Sequence, residues 1–362
     1  MTTVDTPFAV LDTDRLDRNA ARLRDHLAAL GVPLRLHVKT SKSVEVARRV
    51  HAGGPITVST LAEAEYFADA GYRDVLYAVG IDPHKLPRVA TLLRRGVHLT
   101  VLLDSLAQAE AVTSFARKEN LRLPALIEID CDGHRGGVAV TDAALPEIGR
   151  ALGDHLAGVL THAGESYFAY TPEALHQAAQ NERDTAVAAA TVLRAAGLPC
   201  EIVSVGSTPT AHAATDLTGV TEVRAGNYVF FDLVMAGIGV CTTDDLALTV
   251  AVTVIGHQRD RNWVITDGGW MATSRDRGTQ AQAVDQGYGL VADAGGTLIP
   301  GLVMIGASQE HGVLSTRDGA PVPDLPIGTR LRILPNHACA TAAQHDRYHV
   351  VGGEIWTRHR GW

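Results

Sequence analysis

Arg35-Leu36-His37-Val38-Lys39-Thr40-Ser41-Lys42 opens as an alternating strand and closes on lysine, in a chain with only four lysines (Lys39, Lys42, Lys85 and Lys118) among 32 basic residues. Read with period two, Leu36 and Val38 face one side while Arg35, His37 and Lys39 face the other. A polar face of this kind either meets water or lines a reactive site. The scarcity of lysine favours the second reading, because lysine, unlike arginine, can lose its proton and attack a carbonyl to form a Schiff base.

Working outward, strand cores are expected at 34–39, 56–60, 74–79, 98–103, 125–130, 156–161, 201–205 and 222–230, each rich in Val, Ile and Leu. Amphipathic helical stretches, such as 62–70, 106–119 and 172–196, separate them. Such alternation calls for a parallel sheet with right-handed crossovers, and eight units close most economically into a (β/α)8 barrel. A doubly wound open sheet is the rival, although no Gly-x-Gly-x-x-Gly turn follows any of these strands. From about residue 245 the pattern becomes β-rich with glycine turns, at 246–256, 262–267, 330–334 and 348–356, and no helix there exceeds two turns. The expected division is an α/β barrel over 12–240 and a β domain formed by 1–11 and 241–362.

The bulk properties exclude several classes. With 46% hydrophobic and 20% charged residues and a formal net charge of −8, the chain is globular and unsuited to general nucleic-acid binding. No run approaches the roughly 18 apolar residues of a membrane span, and Met1 to Asp5 lacks the basic start of a signal peptide, so a cytoplasmic location is expected. The cysteines at 131, 200, 241 and 339 contain no Cys-x-x-Cys pair, which argues against a disulfide framework or a four-thiolate zinc site.

In such a barrel the chemistry lies at the carboxyl ends of the strands. These ends carry Lys39, then Asp130-Cys131-Asp132-Gly133-His134-Arg135, then His162 with Tyr167 and Tyr170 beyond it, then Gly206-Ser207-Thr208-Pro209-Thr210, and Arg224-Ala225-Gly226-Asn227-Tyr228. The last two stretches read as a phosphate cradle, since small residues expose backbone N–H groups after strands seven and eight; each alone is also an ordinary loop. A lysine facing a phosphate cradle suggests pyridoxal phosphate, with Arg135 placed for the phenolic oxygen of its ring. Near the C-terminus, His337 and Cys339 are two apart, so in an extended segment both point the same way and suit a divalent metal, with imidazole plus thiolate favouring zinc. On its own a His-x-Cys pair is weak.

Taken in order, these motifs, with Glu128-Ile129-Asp130, Arg135-Gly136-Gly137, Asp267-Gly268-Gly269 and Glu310-His311-Gly312, resemble the fold-type III pyridoxal-phosphate enzymes of the D-threonine aldolase and eukaryotic-type D-serine dehydratase group, and more distantly alanine racemase. The resemblance covers nearly the whole chain. It implies that Lys39 carries the cofactor, that Arg135 contacts the ring oxygen, and that Ser207, Thr208, Gly226, Asn227 and Tyr228 hold the phosphate. His162 and Tyr167 would lie near the ring, and Arg224 would face its nitrogen as the counterpart in alanine racemase does. It further implies a divalent metal on His337 and Cys339, zinc or alternatively manganese, and a homodimer in which the β domain of one subunit closes the barrel mouth of the other.

Two details bear on the reaction. Cysteine at position 339 is similar to the zinc-dependent dehydratases, whereas the aldolases often carry aspartate there. The second is a departure, since Lys39-Thr40-Ser41-Lys42 stands where the group usually shows Lys-Thr-His-Lys. The expected activity is a lyase that dehydrates and deaminates a β-hydroxy D-amino acid, such as D-serine or D-threonine, to a 2-oxo acid and ammonia. The alternatives are retro-aldol cleavage to glycine and an aldehyde, and beyond that a racemase or a cofactor carrier. The sequence leaves open whether Asp267, Glu310 and His311 touch substrate or support the metal.

Overall fold

The computed structural model describes residues 4–362. Its secondary structure begins with β1 (Phe8–Leu11), followed by β2 (Leu34–His37), β3 (Ile56–Val58), β4 (Asp74–Gly80), β5 (His98–Leu103), β6 (Ala125–Ile129), β7 (Leu156–Thr161), β8 (Ile202–Val205) and β9 (Glu222–Ala225). Strands β2 to β9 form a closed parallel barrel in sequence order, sealed where Leu34, Arg35 and Leu36 pair with Val223, Arg224 and Ala225. The eight expected strands are all present, and the barrel rather than the open sheet is the fold.

Serine and threonine set the strand-to-helix junctions. Ser43, Thr60, Ser105, Thr171 and Ser207 each cap a helix by accepting a backbone N–H of its first turn. An extended N-cap satisfies a donor that would otherwise be stranded, a contribution of about 1 kcal/mol per cap. Leu76, Leu102, Leu126 and Leu160, from four successive strands, form one buried apolar cluster.

The barrel belongs to a compact unit spanning Ala21–Gly226 with Gly361 and Trp362. The other unit comprises Asn227–Arg360 and the described N-terminal residues up to Ala20. Met1, Thr2 and Thr3, part of the expected 1–11 segment, lie outside the described residues. The second unit is built on β10 (Leu248–Gln258), β11 (Trp263–Thr266), β12 (Leu290–Asp293), β13 (Leu298–Ala307), β14 (Gly312–Thr316), β15 (Arg330–Leu334), β16 (Arg347–Val350) and β17 (Ile355–Thr357). With β1 they form a nine-stranded sheet in the order β11-β14-β13-β12-β15-β10-β1-β16-β17. Val250, Val252 and Val254 alternate along β10 and bury one face against Val264, Val291, Met304, Leu314, Leu331 and Ile333.

Several expectations change. The first barrel strand stops at His37 instead of running through Lys39, because the Lys42 N–H closes a turn on the Val38 carbonyl at 2.8 Å and Lys42 takes a left-handed φ of 46°. Strand β9 ends at Ala225, short of 230, as the chain turns through a short 3-10 segment at Asn227–Val229. The stretch 348–356 is a hairpin of two strands. Strands β12, β13 and β14 were not among the segments expected from the sequence. No described helix is long and apolar enough to cross a membrane.

Candidate active site

Lys39 sits on the turn after β2, half-buried, with its N–H 3.4 Å from His37 Nδ1. Desolvation and then the Lys39 charge hold the His37 imidazole well below its usual range, with Arg224 and His162 adding to the effect. His162, just after β7, donates from Nδ1 to the Gly206 carbonyl at 3.0 Å. Its pKa falls to about 3, first through desolvation and then through the Lys39, Arg224 and Arg135 charges, against the opposing bond to Gly206. Both imidazoles are therefore neutral at ordinary pH, and the barrel mouth gathers positive charge around them.

Arg224 is buried on β9. It donates to Ser204 Oγ and to the Thr161 carbonyl, each at 2.6 Å. Burial lowers its pKa to about 10 despite the opposing charges of Glu182, Glu222 and Glu128, so the guanidinium stays cationic. Ser204 in turn donates to Glu222 Oε1 at 2.6 Å, and Arg35 Nε donates to Glu222 Oε2 at 2.7 Å. Two arginines in register on adjacent strands are thus held apart by one carboxylate. Arg135 is 61% exposed, with its Nη2 at 3.4 Å from Glu128 Oε1. Tyr167 is half-buried on the 3-10 turn Gly164–Phe168.

The loop after β8 is rigidly built. Ser207 exchanges hydrogen bonds with Thr210 in a capping box, and its Oγ lies 2.9 Å from Ser166 Oγ. A buried carboxylate that the sequence did not reveal, Glu182, accepts the Gly206 N–H at 3.0 Å and the Ala163 N–H at 2.9 Å. It lies in the helix Pro172–Ala195, and burial raises its pKa while the Thr210 and Ala163 hydrogen bonds oppose that. After β9, a Cβ on Gly226 would stand 2.6 Å from the His37 carbonyl oxygen and 3.2 Å from Thr40 Oγ1. Only glycine lets the backbone lie this close to the Lys39 turn.

These observations test the fit of pyridoxal phosphate, and the residues pass. The barrel offers a lysine amine, a cationic mouth, backbone N–H groups and a glycine cradle for an anionic ligand. Lys39, Arg135, His162, Tyr167, Ser207, Thr208, Arg224 and Gly226 all belong to the barrel unit. Asn227 and Tyr228, both buried, belong to the sheet unit, where Asn227 Nδ2 donates to Asp232 Oδ2 at 2.6 Å.

In the sheet unit His337 is the extended N-cap of a short helix, Ala338–Ala342, so Cys339 lies in the first helical turn. The expected extended geometry is corrected, yet the two side chains remain within hydrogen-bonding reach. His337 Nδ1 stands 2.6 Å from Asp276 Oδ2, an unforeseen partner. Burial works against its imidazolium, but the bonds to Asp276 and Cys339 outweigh this and push the pKa up to about 11. No three His, Cys, Asp or Glu side chains converge on one ion position among the described residues. A borderline-soft imidazole with a thiol nevertheless suits a divalent metal whose remaining positions stay open. Asp267 accepts from Thr6 Oγ1 at 2.5 Å and from the Thr253 N–H at 2.7 Å, so it fastens strands; Glu310 and His311 are exposed before β14. None of the four cysteines forms a disulfide.

A closed parallel barrel with a lysine at its mouth, coupled in sequence to an antiparallel sheet unit, defines a fold-type III pyridoxal-phosphate enzyme. Residues 11–234 match the family described as "Alanine racemase, N-terminal domain", and residues 247–351 match the "Putative serine dehydratase domain". The chain belongs to this family and is a pyridoxal-phosphate-dependent lyase of the group acting on β-hydroxy D-amino acids. It is 56% identical to D-threo-3-hydroxyaspartate dehydratase of Delftia sp. (strain HT23), over 99% of this chain and 98% of that protein. The solved structure of that dehydratase matches with a TM-score of 0.97, covering 99% of each chain. A cysteine-to-alanine variant of the same protein, matching equally, is in the metal-free form, and a histidine-to-alanine variant two positions away is also solved. The chain is 30% identical to 3-hydroxy-D-aspartate aldolase of Paracoccus denitrificans (strain Pd 1222), over 98% of this chain and 90% of that one.

Proposed function

We propose that this enzyme dehydrates and deaminates a β-hydroxy D-amino acid that carries a second carboxylate, of the 3-hydroxyaspartate kind, to a 2-oxo acid and ammonia. The cationic barrel mouth carries this reading. The charges of Lys39, Arg224 and Arg135 reach His162, adding to the desolvation that chiefly depresses it, and such a mouth suits a doubly anionic substrate beside an anionic cofactor. The likeness to the Delftia dehydratase supports the same substrate class.

Pyridoxal phosphate, when bound, supplies an electron sink that acidifies the Cα hydrogen. Lys39 would hold the cofactor, and its free amine would move the Cα proton. Ser207, Thr208, Gly226, Asn227 and Tyr228 would hold the phosphate, Arg135 would take the ring oxygen, and Arg224 would keep a positive charge toward the ring nitrogen. His162, neutral and fixed by Gly206, and Tyr167 border the ring. His337 and Cys339 would hold a divalent metal, zinc or alternatively manganese, which would supply Lewis-acid help to the departing β-hydroxyl. Loss of water leaves an enamine, which hydrolyses to the 2-oxo acid and ammonia.

Dehydration is favoured over retro-aldol cleavage by Cys339, which occupies a position where the aldolases often carry aspartate; Ser41, a buried hydroxyl, departs from the histidine usual in the whole group and does not separate the two reactions. The aldolase reading keeps support from the Paracoccus relative. Incubation with D-threo-3-hydroxyaspartate, D-serine and D-threonine, with and without chelator, decides between them. An oxo acid that keeps every carbon of the substrate, with an equal amount of ammonia, is expected; glycine and an aldehyde (glyoxylate from 3-hydroxyaspartate) without release of ammonia sink the dehydratase reading. The same reading takes the enzyme as a homodimer in solution, and light scattering at the mass of one chain rejects it.

A further inference from the structure

We infer that Asp276 is a positioning residue of the metal centre, fixing His337 so that its ring presents Nε2 to the ion beside the Cys339 sulfur. The inference rests on the proposal that His337 and Cys339 hold a divalent metal. His337 Nδ1 and Asp276 Oδ2 are 2.6 Å apart, the length of a strong charge-assisted bond. A carboxylate can only accept here, so Nδ1 carries the hydrogen and the ring's remaining nitrogen is left for a ligand. Partners of this kind set the tautomer and raise the basicity of a ligating imidazole.

Asp276 is itself held at three points. Its Oδ1 accepts the Gly278 N–H at 2.8 Å, which aims Oδ2 at His337. Its backbone carbonyl accepts Asn336 Nδ2 at 3.1 Å, and the same amide nitrogen reaches the Gly287 carbonyl at 2.7 Å. Asn336 Oδ1 accepts from Thr279 Oγ1 at 3.0 Å. The residue immediately before His337 therefore stitches down the loop that delivers Asp276, which gives Asn336 of the Pro-Asn-His-Ala-Cys motif a definite task. The loop also enters through Ser274, a non-glycine residue at φ 84°, ψ 155°, whose Oγ accepts the Asp276 N–H at 3.0 Å. Backbone held in that sparsely populated region persists where a site over-determines it. At 34% and 39% side-chain exposure, Asp276 and His337 are open enough for an ion to enter.

The test measures binding of Co2+ and Zn2+ to the full-length holoenzyme by equilibrium dialysis, together with the absorption of the cobalt–thiolate centre. The wild type and the near-isosteric Asp276→Asn and Asp276→Ala variants are compared, with thermal melts confirming that each is folded. Expected are cobalt and zinc affinities about 10–100-fold weaker in Asp276→Ala. Asp276→Asn, which keeps an acceptor for Nδ1–H, should fall between it and the wild type, with the cobalt absorption unchanged. Affinities within twofold of wild type in both variants overturn the inference, as does a cobalt spectrum in Asp276→Asn that shows a lost ligand, since Asp276 would then be a ligand itself. A wild-type enzyme that binds neither ion refutes the underlying metal proposal, a result distinguishable from failure of Asp276 alone.

Discussion

Lys42 Nζ lies 2.9 Å from Glu63 Oε1, with the two side chains only 8% and 0% exposed. Glu63 also accepts the Ser59 N–H and Ser59 Oγ, each at 2.8 Å, so this buried carboxylate ties the turn carrying Lys39 to the junction after β3. Removing one member of a buried pair leaves the other charge uncompensated, at about 3–5 kcal/mol. Lys42→Met is therefore expected to lower unfolding free energy by about that much, and Lys42→Met combined with Glu63→Gln to recover part of it. Urea denaturation of the single and double variants checks this, and equal losses in both would show that the pair is not the cause.

Gly226 and Gly206 make a second prediction, about the cradle. A Cβ at 226 would meet the His37 carbonyl at 2.6 Å, and one at 206, where φ is 142°, would overlap the Arg224 carbonyl. The obstruction is backbone in both cases and cannot swing aside. Overpacking of this kind costs about 1–3 kcal/mol, which appears as roughly a 5- to 150-fold rise in the dissociation constant if the strain falls on the bound cofactor loop. Titration of apoenzyme of Gly226→Ala with pyridoxal phosphate measures it; unchanged affinity removes Gly226 from the cofactor site.

His162 sets a pH dependence whose sign follows from its surroundings. Its pKa is about 3 in the folded chain against 6.5 in the unfolded one, so the unfolded chain binds the proton first. The stability this contributes is complete above the unfolded value and is lost as pH falls from about 6.5 toward 3. Between pH 7 and pH 5 its share of the loss is about 2 kcal/mol. His162→Gln should flatten the fall in unfolding free energy over that interval by about this amount. The catalytic rate should show no limb near pH 6 from this group, because the folded imidazole stays neutral there.

The barrel was legible because each strand is a short Val, Ile and Leu run and most of the following helices announce themselves with a serine or threonine cap. The middle of the sheet unit was not. Strand β13 contains Pro300, Gly301 and Gly306, and its register slips between Met304 and Gly306, so neither a run nor an alternation survives in the sequence. The candidate lysine, cradle and metal pair were visible as local motifs. Their supports were not, since Glu222 meets Arg35 across 187 positions and Asp276 meets His337 across 61. Glu182 reads as one more charge on a helix until the fold brings the Gly206 and Ala163 amides to it. A carboxylate whose partner is distant looks in sequence like any solvated acid.

Lys39 carries the last prediction, and two independent readouts separate its proposed tasks. As the anchor of the cofactor it should allow borohydride to fix pyridoxal phosphate permanently to the wild-type chain, with the label on the peptide containing Lys39. Lys39→Ala should not be labelled there, while phosphate-dependent affinity for the cofactor persists through the Ser207 and Gly226 loops. As the group that moves the Cα proton, Lys39 should contribute about 10²–10⁴ in rate, as general bases do, so the variant should lose at least about 100-fold in kcat. Its ammonium is also the second cause of the depressed His162 pKa. Apoenzyme of Lys39→Ala should therefore show His162 titrating at higher pH than wild-type apoenzyme, followed by NMR of the imidazole. A variant that turns over normally, or one in which His162 does not move, would place the Lys39 amine elsewhere than the barrel mouth.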